Sequence, residues 1–293
     1  MGWINKKEAK MNITLPEKIH MSSNLDGILS KIKQLENEEV ILSFENINFV
    51  LPETTIILLA ISKQIYDITK SKVHWSNIKE DILDYFDRIK LEKISFIELP
   101  RRRRFVVRKK EDYLVEMKIM TEPKQVDEMI AATKRILFQC FPERRADEYV
   151  KQISEYIRHI AGNSLEHSES RENGVCYYTL QIYNPENKKA TVHVAFGDMG
   201  MGIAQSLDKE YPWIAQEGKK AVEMAFVQGL SCRGQGNGGL GFRTVRSHLK
   251  KHGGEIMIRS GHEMLRYYGN SERYTVKKSK NAMVGTQTLI LLK

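Results

Sequence analysis

The residues with the clearest chemical potential lie in a glycine-rich stretch that leads into a helical pattern. From Arg233 to Ser260 the sequence reads RGQGNGGLGFRTVRSHLKKHGGEIMIRS. Glycine at this density lets the backbone adopt positive φ angles and approach a ligand closely. A helix that begins directly behind the loop directs unpaired N–H groups and a positive dipole end at it, which favours a phosphate. A mobile surface loop has the same composition, so this stretch alone leaves both interpretations open.

Two further segments place polar groups beside predicted elements. The strand-like run ATVHVAF is followed by GDMGMGI, residues 197–203. Before it, an amphipathic helix is predicted over residues 146–167, with one apolar and one polar stripe. The apolar stripe consists of Tyr149, Ile153, Ile157 and Ile160. The polar stripe has i, i+4 spacing and consists of Glu155, His159, Asn163 and His167. Such a stripe is usually just the solvated face of a helix.

These motifs occur in a characteristic order: a polar helix with an asparagine, D-x-G-x-G after a strand, and a glycine-rich loop ending in G-L-G. Together with Gly285-Thr286 before the strand TQTLILL, they resemble the GHKL family of Bergerat-fold ATP-binding domains. The resemblance covers roughly residues 113–293 and is nearest to the anti-sigma kinase and sensor-kinase branch. It implies an α/β sandwich with helices layered on a mixed sheet, and ATP and Mg²⁺ as ligands.

The resemblance assigns a role to each motif. Asn163 matches the asparagine that holds Mg²⁺ against the phosphates, and an amide oxygen suits this ion. Asp198 matches the carboxylate that accepts a hydrogen bond from the adenine amino group, although a turn cap is the alternative. Thr286 matches the threonine that completes the adenine contact. The glycines beneath the base and the lid with its neighbours complete the implied site: Gly200, Gly202, Arg233, Gly234, Gly236, Gly238, Gly239, Leu240 and Gly241. Arg233 and Arg243 flank the lid and could neutralise phosphate charge, or be surface residues.

The catalytic position departs from the hydrolytic members of the family. They carry a Glu one turn before the asparagine, whereas this chain has His159. Histidine can act as a base near neutral pH. Glu155 and Glu166 are the other candidate bases, but neither is spaced as a clean replacement. We therefore expect slow hydrolysis, without any weakening of nucleotide binding.

The first hundred residues alternate strand and helix patterns, which predicts an α/β layer fold. The segment VILSFENINFVLPETTIILLAI resembles the centre of a STAS domain, the fold of anti-sigma-factor antagonists. Where that family carries an Asp-Ser pair, this chain has Leu51, Pro52 and Glu53, so phosphorylation here is in doubt. Thr54 and Thr55 are neighbours that an ordinary helix start would also hold. Glu53 either mimics a phosphate charge or simply complements the helix dipole, and we favour the second.

Composition limits the remaining possibilities. The chain has 293 residues and a formal net charge of +9, which favours acidic partners such as nucleotides, nucleic acids or anionic surfaces. A run of basic residues is either a solvated linker or a nucleic-acid contact: Arg101, Arg102, Arg103, Arg104 and Arg108. No apolar run is long enough to span a bilayer, and the N-terminus is not a secretion signal. Cys140, Cys176 and Cys232 match no zinc pattern, and His167 and His193 are interpreted as structural.

The sequence therefore predicts a cytoplasmic protein with a STAS-like domain (1–99), a basic linker (100–112) and a GHKL ATP-binding domain (113–293). The predicted function is Mg²⁺-dependent ATP binding in a regulatory protein, with slow hydrolysis or protein-kinase activity coupled to lid ordering. A regulated protein partner or a homodimer is expected. Two alternatives remain: an ATPase that acts on nucleic acid through the basic linker, and a non-catalytic nucleotide-gated interaction module.

Overall fold

The computed structural model describes residues 10–101, 113–167, 176–184, 190–233 and 239–293; for Glu166 and His167 it describes the backbone only. We call residues 10–98 the N-terminal unit and residues 113–293 the C-terminal unit. The two units contain separate sheets of four and five strands. The molecule is a mixed α/β protein with both parallel and antiparallel sheets.

The N-terminal unit is a four-stranded parallel sheet with the strands in sequence order. Its strands are β1 (Lys10–Thr14), β2 (Glu39–Ser43), β3 (Val73–Ser76) and β4 (Ile97–Glu98). The connecting helices are α1 (Asp26–Ile32), α2 (Pro52–Thr69) and α3 (Glu80–Arg88). Proline at the first position suits the start of α2, because its missing N–H has no intrahelical acceptor there. The alternating sequence pattern thus predicted this layer correctly.

The C-terminal unit is a five-stranded sheet in the order β5-β6-β7-β9-β8. The strands are β5 (Leu114–Met120), β6 (Cys176–Tyr183), β7 (Thr191–Asp198), β8 (Glu255–Tyr268) and β9 (Arg273–Leu292). The helices are α4 (Lys124–Cys140), α5 (Glu143–Tyr156), α6 (Gly162–His167), α7 (Gly202–Asp208), α8 (Trp213–Gln216), α9 (Ala221–Glu223) and α10 (Leu240–His252). π-helical turns occur at Ile157–Ala161 and Met224–Gln228.

Strand direction in the C-terminal unit corrects one expectation. We expected a mixed sheet, but every pairing among its described strands is antiparallel. β6 and β7 are consecutive antiparallel neighbours. β8 and β9 form a long hairpin, in which β9 pairs with β7 and β8 is the edge strand. In the described residues, parallel pairing is confined to the N-terminal unit.

The two units pack tightly against each other through α1 and α2. Both helices contact β9, and α2 also contacts β6 and β7. Helix α2 is buried along most of its length, and its apolar run from Ile56 to Ile61 is buried on every side. One continuous apolar core joins the N-terminal unit to residues from all five strands of the second sheet: Met117, Tyr177, Ala195, Met257, Met283 and Leu289. The other face of that sheet carries a second core beneath α4, α5 and α10.

Within the described residues, no helix is long and apolar enough to cross a membrane. Arg101 is exposed, whereas Arg102, Arg103, Arg104 and Arg108 of the basic run lie outside the described residues.

Candidate functional site

Segments that are distant in sequence line one cavity at the end of β7. It lies between α6, the β7–α7 connection, the start of α10 and the inner part of β9. Its volume is about 120 Å³. The sequence-predicted residues in its lining are Asn163, Asp198, Gly202, Gly239, Gly241 and Thr286.

Asp198 lies in the wall of this cavity, and its two carboxylate oxygens have different surroundings. Oδ1 accepts hydrogen bonds from the backbone N–H groups of Gly200 at 3.0 Å and Thr286 at 3.1 Å. Oδ2 is 3.4 Å from the hydroxyl of Ser164, which donates to it. Burial raises the pKa of Asp198 to about 6, and the three hydrogen bonds oppose this shift only in part. The carboxylate is therefore rigidly held and poorly solvated, which suits recognition of a ligand N–H group.

Gly202 and Ser260 support the turn that follows Asp198. Gly202 has φ +77°, and a methyl group there would lie 2.8 Å from the Oγ of Ser260. That Oγ accepts a hydrogen bond from Ile203 N, at the start of α7, and donates to the carbonyl of Gly285. It also lies 3.2 Å from the Oγ1 of Thr286. Ser260 thus connects the base of α7 to β9, which makes glycine at position 202 necessary.

Asn163 and His159 meet the first turn of α10. A methyl group on Gly241 would lie 3.0 Å from Cβ of His159 and 3.6 Å from Nδ2 of Asn163. The Asn163 side chain is exposed at the mouth of the cavity. His159 is outside the cavity lining, and its Nε2 lies 3.4 Å from Oε2 of Glu155. Glu155 thus contacts His159, and both His159 and Asn163 lie against the first turn of α10.

The helix that carries this stripe is not a regular α-helix. The α-helical predictions held on either side, but Ile157–Ala161 forms a π-helical turn. The four residues of the predicted apolar stripe are nevertheless buried. π-Helical turns are rare and are frequent at functional sites, because they reorient the side chains around them. A single-sequence periodicity argument contains no signal for this turn.

The end of the lid is fixed by two glycines. Gly239 has φ +76°, and a methyl group there would lie 2.0 Å from the carbonyl oxygen of Gly229. This close approach places the first amides of α10, which lack intrahelical acceptors, at the cavity. The Arg243 guanidinium packs against Gly229, and the Leu240 side chain is exposed. Gly234, Gly236 and Gly238 lie outside the described residues.

Arg233, which was predicted to flank the lid, is exposed and is not part of the cavity lining. Its backbone N–H donates to Ser231 Oγ. Glu166 lies in α6, but its side chain is outside the described part of the chain.

Sequence reasoning missed Ser164 and Ser260. The position of Ser164 directly after Asn163 was a usable signal, whereas only the strand register brings Ser260 to the site.

The residues at the start of α2 are unsuited to a phosphorylation switch. Thr54 and Thr55 are buried, and the Thr54 hydroxyl donates to the carbonyl of Ile19 at 2.6 Å. Glu53 is 4% exposed and lies 3.8 Å from His193 Nδ1 on β7. A buried carboxylate cannot present a phosphate-like charge to a partner, so the helix-start interpretation fits better. His193 lies in this packed region, in agreement with a structural role.

No cluster of three or more His, Cys, Asp or Glu residues that could hold a metal ion occurs among the described residues. The three cysteines form no disulfide. A search against models of known protein families gives no match. No curated protein matches the sequence significantly either.

Proposed function

We propose that this protein is a Mg²⁺-dependent ATP-binding regulatory protein of the GHKL type. Slow hydrolysis or protein phosphorylation would be coupled to ordering of the lid and to contact with a partner protein or a second protomer. The observation that carries the proposal is the convergence of separate motifs on one cavity. Asn163, Asp198, Gly241 and Thr286 are far apart in sequence and line the same space.

The base end of the cavity has the chemistry that adenine requires. Asp198 Oδ1 is saturated by two backbone donors, whereas Oδ2 has only the Ser164 hydroxyl at 3.4 Å. Oδ2 is therefore available to accept a hydrogen bond from an exocyclic amino group. Guanine carries a carbonyl at the corresponding position, which would face this carboxylate unfavourably. The site should thus prefer ATP over GTP.

The phosphate end would be formed by α10 and the polar stripe. The N-terminus of α10 supplies backbone donors and a positive dipole end, which stabilise phosphate groups. The Asn163 amide lies beside this N-terminus and is exposed. Its oxygen would supply one neutral ligand to Mg²⁺, with phosphates and waters providing the others. When bound, the ion would neutralise phosphate charge.

A nucleotide-gated module without turnover is the second candidate function. The observation that favours it is the position of His159, which replaces the carboxylate base of hydrolytic relatives and lies outside the cavity lining. Its Nε2 lies 3.4 Å from Glu155. This contact orients the imidazole ring of His159. Hydrolysis would require that a water molecule reach the ring.

Calorimetric titration tests the binding proposal. The parent protein should bind ATP with Mg²⁺ and discriminate against GTP. Asn163→Ala should remove the Mg²⁺-dependent part of ATP affinity while adenosine affinity stays unchanged. Asp198→Asn should remove the preference for ATP over GTP, because an amide is a poorer acceptor than a carboxylate. Equal affinity for ATP and GTP in the parent protein would overturn the proposal. Tracing a γ-phosphate label to free phosphate or to protein then separates the two candidate functions.

A further inference from the structure

Two adjacent rows of residues cross the C-terminal sheet at the end of the cavity. In the strand register, Gly197 of β7 pairs with Gln287 of β9, which pairs with Arg259 of β8. The next row consists of Asp198, Thr286 and Ser260. Neighbouring residues of a strand point to opposite faces of the sheet. The side chains of the first row therefore face the N-terminal unit, and those of the second row face the opposite side of the sheet, where Asp198 and Thr286 line the cavity. The backbone of Gly197 also belongs to the cavity lining.

The first row is in direct contact with the N-terminal unit at both ends. A methyl group on Gly197 would lie 2.4 Å from Cγ2 of Ile56 in α2, so no larger residue fits without a shift of the Ile56 side chain or of the helix. The Arg259 side chain is buried and donates to the carbonyl oxygens of Met21, at 2.7 and 3.2 Å, and Ser23, at 2.6 Å. These carbonyls belong to the segment before α1.

The middle of the first row joins the two rows. Gln287 is fully buried, and its Nε2 lies 3.4 Å from the backbone carbonyl of Asp198 and 2.8 Å from that of Val284. On the cavity side, Thr286 N holds the Asp198 carboxylate, and the Thr286 and Ser260 hydroxyls lie 3.2 Å apart. A displacement of either end of the first row would therefore move the groups that hold Asp198.

We propose that Arg259 is a positioning residue for base recognition, through which the docking of the N-terminal unit and the occupancy of the cavity are coupled. This inference rests on the proposed adenine site. A buried guanidinium needs its acceptors, since an unpaired buried charge is strongly destabilising. Arg259 therefore holds the segment of Met21 and Ser23 against β8 only while the N-terminal unit is fully docked. Coupling between two sites is reciprocal, so a bound adenine nucleotide must in turn favour the docked arrangement.

The first test compares substitutions on the two sides of the same interface. Arg259→Met should lower ATP and adenosine affinity by about 10-fold, within the usual range of coupling between sites. Arg259→Lys keeps a charged donor and should restore most of the affinity. Asn281→Ala is the matched control. It removes the side-chain contacts of Asn281 with Asp26, which also join the two units but lie on the β8–β9 hairpin away from the cavity. Its adenosine affinity should equal that of the parent protein.

A size exchange at the other end of the row keeps the proposal testable if Arg259→Met does not fold. Gly197→Ala should weaken adenosine binding, because the new methyl group displaces α2 and the strand end. Ile56→Ala alone removes the opposing methyl group, and the double variant Gly197→Ala with Ile56→Ala should recover the affinity that Gly197→Ala loses. An additive loss in the double variant would contradict the coupling, since contacting residues that act together give non-additive effects.

Hydrogen exchange of the parent protein completes the test. Adenosine should slow exchange of amides in residues 19–25 and α2 as well as amides around the cavity. If the parent protein binds no adenine compound, the proposed function is wrong, and the proposed coupling to adenine binding is wrong with it. If it binds ATP selectively, but protection is confined to the cavity and Arg259→Met binds adenosine as the parent does, the coupling is wrong and the proposed function stands.

Discussion

At the scale of single residues, Asp198 is defined by an unequal division of hydrogen bonds between its two oxygens. Two backbone amides hold Oδ1, and one long hydroxyl contact reaches Oδ2. Burial raises its pKa to about 6. The protonated form is therefore favoured in the folded protein relative to the unfolded chain, and the ionised form is the one that accepts a ligand N–H group. This arrangement would make the proposed base recognition sensitive to pH.

We expect adenosine affinity to fall as the pH drops below the raised pKa of Asp198. Protonation removes the acceptor, so affinity should be about 10-fold lower one pH unit below the pKa than at neutral pH. Adenosine is the appropriate ligand because it carries no titrating phosphate. Calorimetric titration at several pH values between about 5 and about 7.5 measures this change.

Asp198→Asn provides the control for this titration. Its residual adenosine affinity should not change through the same pH range. A folded-state pKa above the unfolded value means that stability falls as the pH rises from about 4 to about 6. An amide resembles the neutral acid, so the variant should be at least as resistant to urea as the parent above about pH 6. A parent affinity that is independent of pH would exclude Asp198 as the group that contacts the base.

His159 makes a separate prediction about turnover. We expect the parent protein to release phosphate well below the median enzyme rate of about 10 per second. His159→Glu should raise this rate, because a carboxylate would then stand where hydrolytic members of the GHKL family carry one. The Asn163→Ala background, which should lack Mg²⁺-dependent ATP binding, serves as the control for contaminating ATPase activity. A rate that is unaffected by His159→Ala would instead implicate Glu155 or Glu166.

At the scale of elements, the start of α10 is set by a backbone contact. Gly239 approaches the Gly229 carbonyl more closely than any side chain allows, and its φ angle is in the left-handed region. Gly241 lets the helix begin close beside Asn163 and His159, because a methyl group there would lie only 3.0 Å from Cβ of His159. Glycine at positions 239 and 241 therefore answers two specific close contacts.

Gly239→Ala should affect ligand binding at the proposed phosphate end of the cavity and leave binding at the proposed base end intact. A methyl group 2.0 Å from the Gly229 oxygen must displace the first turn of α10. ATP affinity should fall by about 10-fold or more, since several phosphate donors would move, each bond to a charged group contributing about 1.5–3 kcal/mol. Adenosine affinity should change little, because the contacts proposed for it lie at β7 and β9.

The control for this substitution is Gly218→Ala. Gly218 also has a positive φ angle, +64°, but no neighbouring atom lies within 4 Å of an added methyl group. It is therefore expected to cost only the backbone strain of about 1–2 kcal/mol for the left-handed conformation, without any change in ATP affinity. Equal loss of ATP affinity in both variants would show that general destabilisation explains the Gly239 result.

At the scale of the whole molecule, the N-terminal unit covers a face of the second sheet that would otherwise be apolar and exposed. Helix α2 is buried between the two sheets, and Ala195, Met257 and Leu289 belong to the same core as the first unit. Large exposed apolar patches on single proteins are uncommon and promote association. The two units therefore share one core, and we expect each unit to stabilise the other.

A fragment of residues 113–293 should consequently behave poorly by itself. We expect it to aggregate or to bind a hydrophobic dye, with a lower melting temperature than the full chain. Addition of the separately expressed residues 1–99 should restore solubility if the interface forms in trans. A fragment that is monomeric and melts cooperatively at the temperature of the full chain would contradict this expectation.

Much of the secondary structure could be predicted from the sequence, because local patterns decide it. The Pro52 start of α2, the strand before D-x-G-x-G and the helix behind the lid glycines all follow from periodicity and from residues that begin or end helices. The family resemblance, which rests on the types and order of the motifs, also predicted that Asn163, Asp198 and Thr286 lie close together, and they line one cavity. These features depend on residues close together in the chain or on motif order, which one sequence contains.

The tertiary structure alone decided the register of the strands and the packing of the units. The contact between Gly197 and Ile56, the bonds of Arg259 to Met21 and Ser23, and the place of Ser260 beside Thr286 join residues far apart in sequence. The π-helical turn beside Asn163 and the antiparallel second sheet also escaped the sequence argument. Such features arise from the balance of packing and hydrogen bonding over the whole molecule, which local propensities do not contain.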